Sequence, residues 1–142
     1  MKYEKSKIYR IVCNQTGLCY IGSTTQSLSQ RLAIHRCHYK NYLDGKHNYI
    51  TSFEILKTND FEICLIEEFP CENKEQLHQR ERHYIETMEN VNRYIPSRTN
   101  KEYIQEHLEE RKKYQKDYQQ KNREKIREQV RDAMRRFRAK SK

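Results

Sequence analysis

Hydrophobic residues gather in the front two-thirds of this chain, in blocks whose period changes from about 2 to about 3.6 residues. Lys7 to Cys13, rich in Ile, Val and Tyr, reads as a β-strand, and Leu18 to Gly22 reads as its partner. Asn14-Gln15-Thr16-Gly17 between them has turn chemistry, so the pair forms an antiparallel hairpin closed at Gly17. A four-residue loop sets Ile11 opposite Tyr20 and Tyr9 opposite Gly22, with both tyrosines on one face. Gly22 is then expected to leave open space beside Tyr9 where a substrate backbone can approach. A slip of one residue would place the tyrosines on opposite faces.

Ser27 with Gln30 forms a capping box that starts a helix over Leu28 to Leu43, ended by Asp44-Gly45. Its apolar stripe is Leu28, Leu32, Tyr39 and Leu43, and Arg31, His35, His38 and Tyr42 run along one side of it. His47 to Leu56 reads as a loop and a short helix. Phe61 to Phe69 reads as a third strand, stopped by Pro70. A second helix begins after Asn73, with Gln76 in the capping-box position, and runs to about Met88 on a stripe of Leu77, Tyr84, Ile85 and Met88.

Past Val91-Asn92-Arg93-Tyr94-Ile95-Pro96 the pattern thins. Thr99 and Glu102 make another capping box, and no Gly or Pro follows Lys101. One helix from Lys101 to about Arg138 is expected, about 57 Å long at 1.5 Å per residue. His107-Leu-Glu-Glu-Arg and Asn122-Arg-Glu-Lys-Ile hint at a degenerate repeat. The stripe is too thin for a core of its own. A solvated single helix, a homodimer through the Tyr and Ile positions and a segment that orders on DNA all fit, and the last is preferred. The expected organisation is an α+β domain over residues 1–98, a small three-stranded antiparallel sheet flanked by helices, and a basic helical tail over 99–142.

Charge sharpens that division. Residues 1–98 carry 14 Lys and Arg against 12 Asp and Glu, whereas residues 99–142 carry 15 against 8, so most of the formal +9 lies on the tail. Such a tail favours phosphate backbones through Coulomb attraction and counterion release. The five cysteines, Cys13, Cys19, Cys37, Cys64 and Cys71, show no zinc spacing. Their odd number, with no signal-peptide pattern, predicts a reducing compartment and a soluble intracellular protein. No apolar stretch approaches membrane-spanning length.

Two features carry chemistry on their own. Arg31 and His35, spaced i and i+4, present a guanidinium and an imidazole in one direction beside a core stripe. Glu81 falls in the middle of the second helix's apolar stripe. Burying an unpaired carboxylate costs several kcal/mol, so Glu81 calls for a cationic partner such as Arg31 or for a metal ion, and the metal is the preferred reading.

Lys7-Ile8-Tyr9, then Tyr20-Ile21-Gly22-Ser23-Thr24, then Arg31 and His35, and later Arg80-Glu81-Arg82-His83-Tyr84-Ile85-Glu86 resemble the GIY-YIG nuclease family over about residues 6–98. The likeness is nearest to small versions from mobile elements and large DNA viruses. It implies the GIY-YIG fold and a metal-dependent endonuclease, with Tyr9 as general base and Tyr20 on the scissile phosphate or its water. Gly22 would permit backbone approach, Arg31 would neutralise phosphate charge, and His35 and His47 would assist proton transfer or phosphate binding. Glu81 would hold one divalent cation, Mg2+ or Mn2+. Lys7 replaces the family's Gly and either faces solvent or contacts DNA, and Asn92 corresponds to an Asn near the family domain's end. No sequence-reading module is recognisable, so specificity is expected to be low or to come from substrate shape. The competing reading is a catalytically silent GIY-YIG fold serving as a DNA-binding or assembly module.

Overall fold

The computed structural model describes residues 2–140, with the side chain of Lys140 left aside. The chain divides into two compact units, one ending at Ser97 and the other beginning at Arg98. In the first, strands β1 (Lys7–Cys13), β2 (Cys19–Thr24) and β3 (Phe61–Glu68) form a three-stranded antiparallel sheet in the order β2-β1-β3. Gly17, at φ +72°, closes the hairpin in a conformation that side chains rarely adopt. Ile11 pairs with Tyr20 and Tyr9 with Gly22, the register expected from a four-residue loop. On its other edge β1 meets β3 with an irregularity between Ile8 and Tyr9, next to the residue that anchors the site.

Because β1 is central, it packs against helices on both faces, with Arg10 alone along it exposed. Tyr9, Ile11 and Cys13 pack with Ile55, Leu56, Leu28, Leu32 and Tyr39, beneath α1 (Leu28–Leu43) and α2 (Phe53–Leu56). Ile8 packs on the opposite face with Cys19, Ile21, Leu77 and Ile85, beneath α3 (Lys74–Thr87). The result is a sheet between two helical layers.

Ser27 accepts from the Gln30 N–H while Gln30 reaches back to Ser27, starting α1 at Leu28. Loss of such a cap costs about 1 kcal/mol. Leu43, placed on the α1 stripe by periodicity, is the last residue of the helix and 66% exposed. Asn73 caps α3 through the Gln76 N–H, but the Gln76 side-chain Oε1 accepts from the Glu72 N–H, one residue ahead of the cap. Arg80 grips Glu67 on β3 with Nε at 2.6 Å and a second nitrogen at 3.0 Å, fixing α3 across the sheet.

The second unit begins with the expected capping box of Thr99 and Glu102 and ends in the long basic helix α6 (Arg123–Lys140). The single helix expected from Lys101 onward is interrupted ahead of it, giving α4 (Asn100–Glu106) and α5 (Leu108–Lys121). Its breaks fall at His107 and Asn122, where a ring nitrogen or side-chain amide bonds the carbonyl four residues back, on Tyr103 and Tyr118. A polar side chain competing for that carbonyl relaxes the helical ladder. These are the two positions that head the degenerate repeat. Among the described residues no helix is long and apolar enough to cross a membrane, and all five cysteines are free.

Candidate active site

The site grows from the central strand outward. Tyr9 has no solvent exposure, and its hydroxyl lies 2.7 Å from His35 Nε2 and 2.9 Å from Arg31 Nε. Arginine can only donate, so the Tyr9 oxygen accepts from Arg31 and its proton goes to His35 Nε2. The imidazole therefore carries its own proton on Nδ1, which faces Ser52 Oγ at 3.2 Å. Burial and the nearby Arg31 charge push His35 down to about 3, so the ring stays neutral and free to accept. Burial pushes Tyr9 up to about 12, with Arg31 pulling the other way. Ser52 is fully buried and occupies the N-cap position of α2 without capping it, its hydroxyl turned to His35 instead.

Gly22 sits against this chain of hydrogen bonds. A Cβ there would lie 2.5 Å from the Tyr9 hydroxyl, so the space expected to admit a substrate backbone is filled by the phenol of Tyr9. The glycine admits the tyrosine hydroxyl, which Arg31 and His35 hold there.

Tyr20 is half-buried and meets the His35 ring edge-on, centroids 5.5 Å apart. Desolvation raises its phenol well above the ordinary value, and the charge of Glu81 adds to the shift. Glu81 comes from α3, which packs on the opposite face of the sheet. Ser23 Oγ donates to its Oε2 at 2.5 Å. Burial holds Glu81 above the usual carboxylate range, against the pull of Ser23 and Arg31. Its bonding partner is this hydroxyl rather than the Arg31 ion pair weighed as the alternative. Tyr20 and Glu81 both line an open cavity of about 360 Å³.

Of the remaining sequence candidates, Asn92 lines the same cavity, whereas Lys7 and His47 are not among its walls. Asn92 accepts from the Ile21 N–H at 2.9 Å and donates to the Ile21 carbonyl at 2.8 Å. These two bonds pair the outer edge of β2 and leave one amide N–H and one lone pair of Asn92 over, on a side chain that lines the cavity shared by Tyr20 and Glu81. The adjacent Val91 N–H continues that pairing on Cys19. Lys7 is at the strand start with its Nζ on the Lys5 carbonyl. His47 stacks on His38 at 4.5 Å and sits edge-on to Phe53, in a separate aromatic group with Tyr42 and Tyr49. The polar side of α1 thus splits, Arg31 and His35 turning to Tyr9 while His38 and Tyr42 join that group. Ser23 and Ser52 escaped sequence reasoning; the one local hint is a serine at an N-cap position without an acidic or amide residue three places on.

Among the described residues no three His, Cys, Asp or Glu side chains converge as a metal cage. One carboxylate facing an open cavity suits Mg2+, which keeps several waters and takes one or two carboxylates plus substrate phosphates. His35 has no free nitrogen for a metal, since both are engaged.

Buried Tyr9 and His35 and part-buried Arg31 thus gather on one face of the sheet, and Glu81 comes from the helix on the other. A profile of the GIY-YIG catalytic domain matches residues 5–95. The chain belongs to the GIY-YIG family and is an endonuclease by class. The catalytic domain of the intron endonuclease I-TevI, in its E75A mutant, is similar at 25% identity and a TM-score of 0.51, over 67% of this chain and 99% of that one. A second structure, of the catalytic domain of the homing endonuclease I-TevI, aligns at 26% identity and a TM-score of 0.47 over 63% of this chain and 99% of that one. No curated protein sequence matches the chain.

Proposed function

We propose that this protein hydrolyses DNA phosphodiesters with the help of one divalent cation, and that its basic tail adds affinity for the DNA backbone. The hydrogen-bonded series Arg31–Tyr9–His35 beside Glu81 carries this reading. Arg31 spends its Nε on Tyr9, and its two Nη groups have no hydrogen-bond partner among the described residues. They border a groove that Lys2, Lys74 and His78 also line, a setting suited to a phosphate in an approaching strand.

Tyr9, being fully enclosed, reaches an attacking water only when the guanidinium moves off its hydroxyl and onto the phosphate. The same movement arms the base: Tyr9 takes the water's proton as its own passes to the neutral Nε2 of His35. Ser52 holds that imidazole in the accepting tautomer. Tyr20, at the cavity wall, hydrogen-bonds the phosphate or its water. Glu81 holds the cation, which when bound polarises the phosphate and eases departure of the leaving oxygen. Ser23 keeps the carboxylate aimed.

Supercoiled plasmid incubated with the protein in Mg2+ should be nicked, and EDTA, Glu81→Ala and Arg31→Ala should each abolish nicking. Equal absence of nicking in wild type and both variants, on several DNA forms, would leave a silent DNA-binding module as the surviving reading.

A further inference from the structure

The cavity that receives Tyr20 and Glu81 has a second wall that phosphate chemistry does not use. That wall is built from Tyr49, Arg93 and Tyr94. Tyr49 is held rigidly: its hydroxyl donates to Glu54 at 2.6 Å, and its ring meets Tyr42 and Phe53 edge-on. The Arg93 guanidinium lies over the Tyr49 ring, 5.7 Å from its centroid. Tyr94 is 75% exposed, and no packing among the described residues accounts for an aromatic ring left at the mouth of a site. Rigid tyrosine, a planar guanidinium laid on it and an open second tyrosine make a stacking platform for a flat heterocycle.

We propose that this cavity takes the unstacked base of a nucleotide next to the scissile phosphate, so that the favoured substrate is DNA with an unpaired nucleotide at the cut. The inference rests on the nuclease reading of the same site. At about 360 Å³ the cavity lies near the lower end of ligand pockets, about 300–1,000 Å³, and suits one base rather than a base pair. Continuity with Tyr20 and Glu81 fixes which nucleotide enters, because a base held there belongs to the phosphate at their side chains. The groove bordered by Arg31, Lys2 and Lys74 lies beyond Ser23 and suits the backbone continuing from it. In a paired duplex the base is buried in the stack and reaches such a cavity only at the cost of unpairing. That cost is least where the nucleotide is already unpaired. The platform offers π faces and few hydrogen bonds, so it tolerates any base.

The test uses the full chain and short duplexes that are fully paired, carry one unpaired nucleotide, or carry an abasic residue at that position. Cuts mapped on gels should concentrate at the phosphates flanking the unpaired nucleotide, about tenfold over paired positions, and the abasic residue should lose that enrichment. In EDTA, without turnover, an unpaired 2-aminopurine should lose emission as it stacks on the protein. Tyr94→Ala should weaken both the enrichment and the emission change, whereas Tyr94→Phe should keep them. Cuts spread evenly over paired and unpaired positions, with unchanged emission, would overturn the inference while leaving the nuclease intact. If no DNA is cut at all, the reading of the site fails instead. The emission then decides alone on the cavity: quenching supports the base subsite and constancy overturns it.

Discussion

The two units of this chain draw on similar charged, Tyr-rich material and handle it in opposite ways. In the first, a seven-residue strand packs on both faces with only Arg10 exposed, and even a tyrosine hydroxyl and a histidine are taken out of water and paired with each other. In the second, α4 and α5 bury no residue, and Val130, Met134 and Phe137 of α6 remain exposed. A sheet gives long-range partners to every side chain on it, so polar groups can be held where desolvation changes their chemistry. A train of helices with sparse apolar positions offers only neighbours three and four residues away, such as the Lys112–Glu109 pair and the Tyr114–Tyr118 stack. Chemistry therefore belongs to the first unit, and charge to the second.

The sharpest way to break that contrast is at the carboxylate. Glu81→Ala should lower the cleavage rate by about a thousandfold or more with the melting temperature nearly kept, since the residue brings electrostatics rather than packing. Single-turnover rates beside a thermal melt would decide it; a large loss of stability with a modest loss of rate would make Glu81 structural.

Gly22→Ala should act on both. Its Cβ has no room beside the Tyr9 hydroxyl, and overpacking of this kind costs about 1–3 kcal/mol. Urea denaturation should report that loss, and cleavage should fall with it because Arg31 is displaced along with Tyr9. An unperturbed Gly22→Ala protein would mean that Tyr9 has slack the packing does not suggest.

The buried histidine makes the first unit sensitive to acid. His35 titrates near its ordinary value when unfolded but at about 3 when folded, so the unfolded chain binds the extra proton between those values. Stability contributed by the neutral ring is thus complete above about pH 6.5 and is lost as pH falls towards 3. Denaturation midpoints should drop across that window, and less so in His35→Gln, whose amide cannot titrate. Parallel curves for the two proteins would refute the burial argument.

Smaller effects belong to the tail. Removing residues from Arg98 onward should weaken DNA binding and flatten its salt dependence, with the response to Glu81→Ala unchanged; an unaltered slope would deny the tail a phosphate-binding role. Asn122→Ala should let α5 run into α6, a gain of a few residues of helix by circular dichroism.

Much of this protein is legible in its sequence, because the signals are local. Alternation and a closing glycine set the hairpin register, capping residues set the starts of α1, α3 and α4, and one carboxylate on the apolar stripe of α3 marked Glu81. What lay beyond such signals depends on contacts between distant segments. That Ser52 would turn from its own helix to His35, 17 residues away, has no local cause. Nor does the use of Asn92 to pair a strand edge 71 positions earlier, or of Ser23 to meet Glu81. Gly22 illustrates the division most plainly. The sequence placed it opposite Tyr9, since pairing in a hairpin is a matter of counting. Only the tertiary structure decided what fills the space it leaves, because the side chain of Tyr9 is aimed by Arg31 and His35 from another layer of the fold.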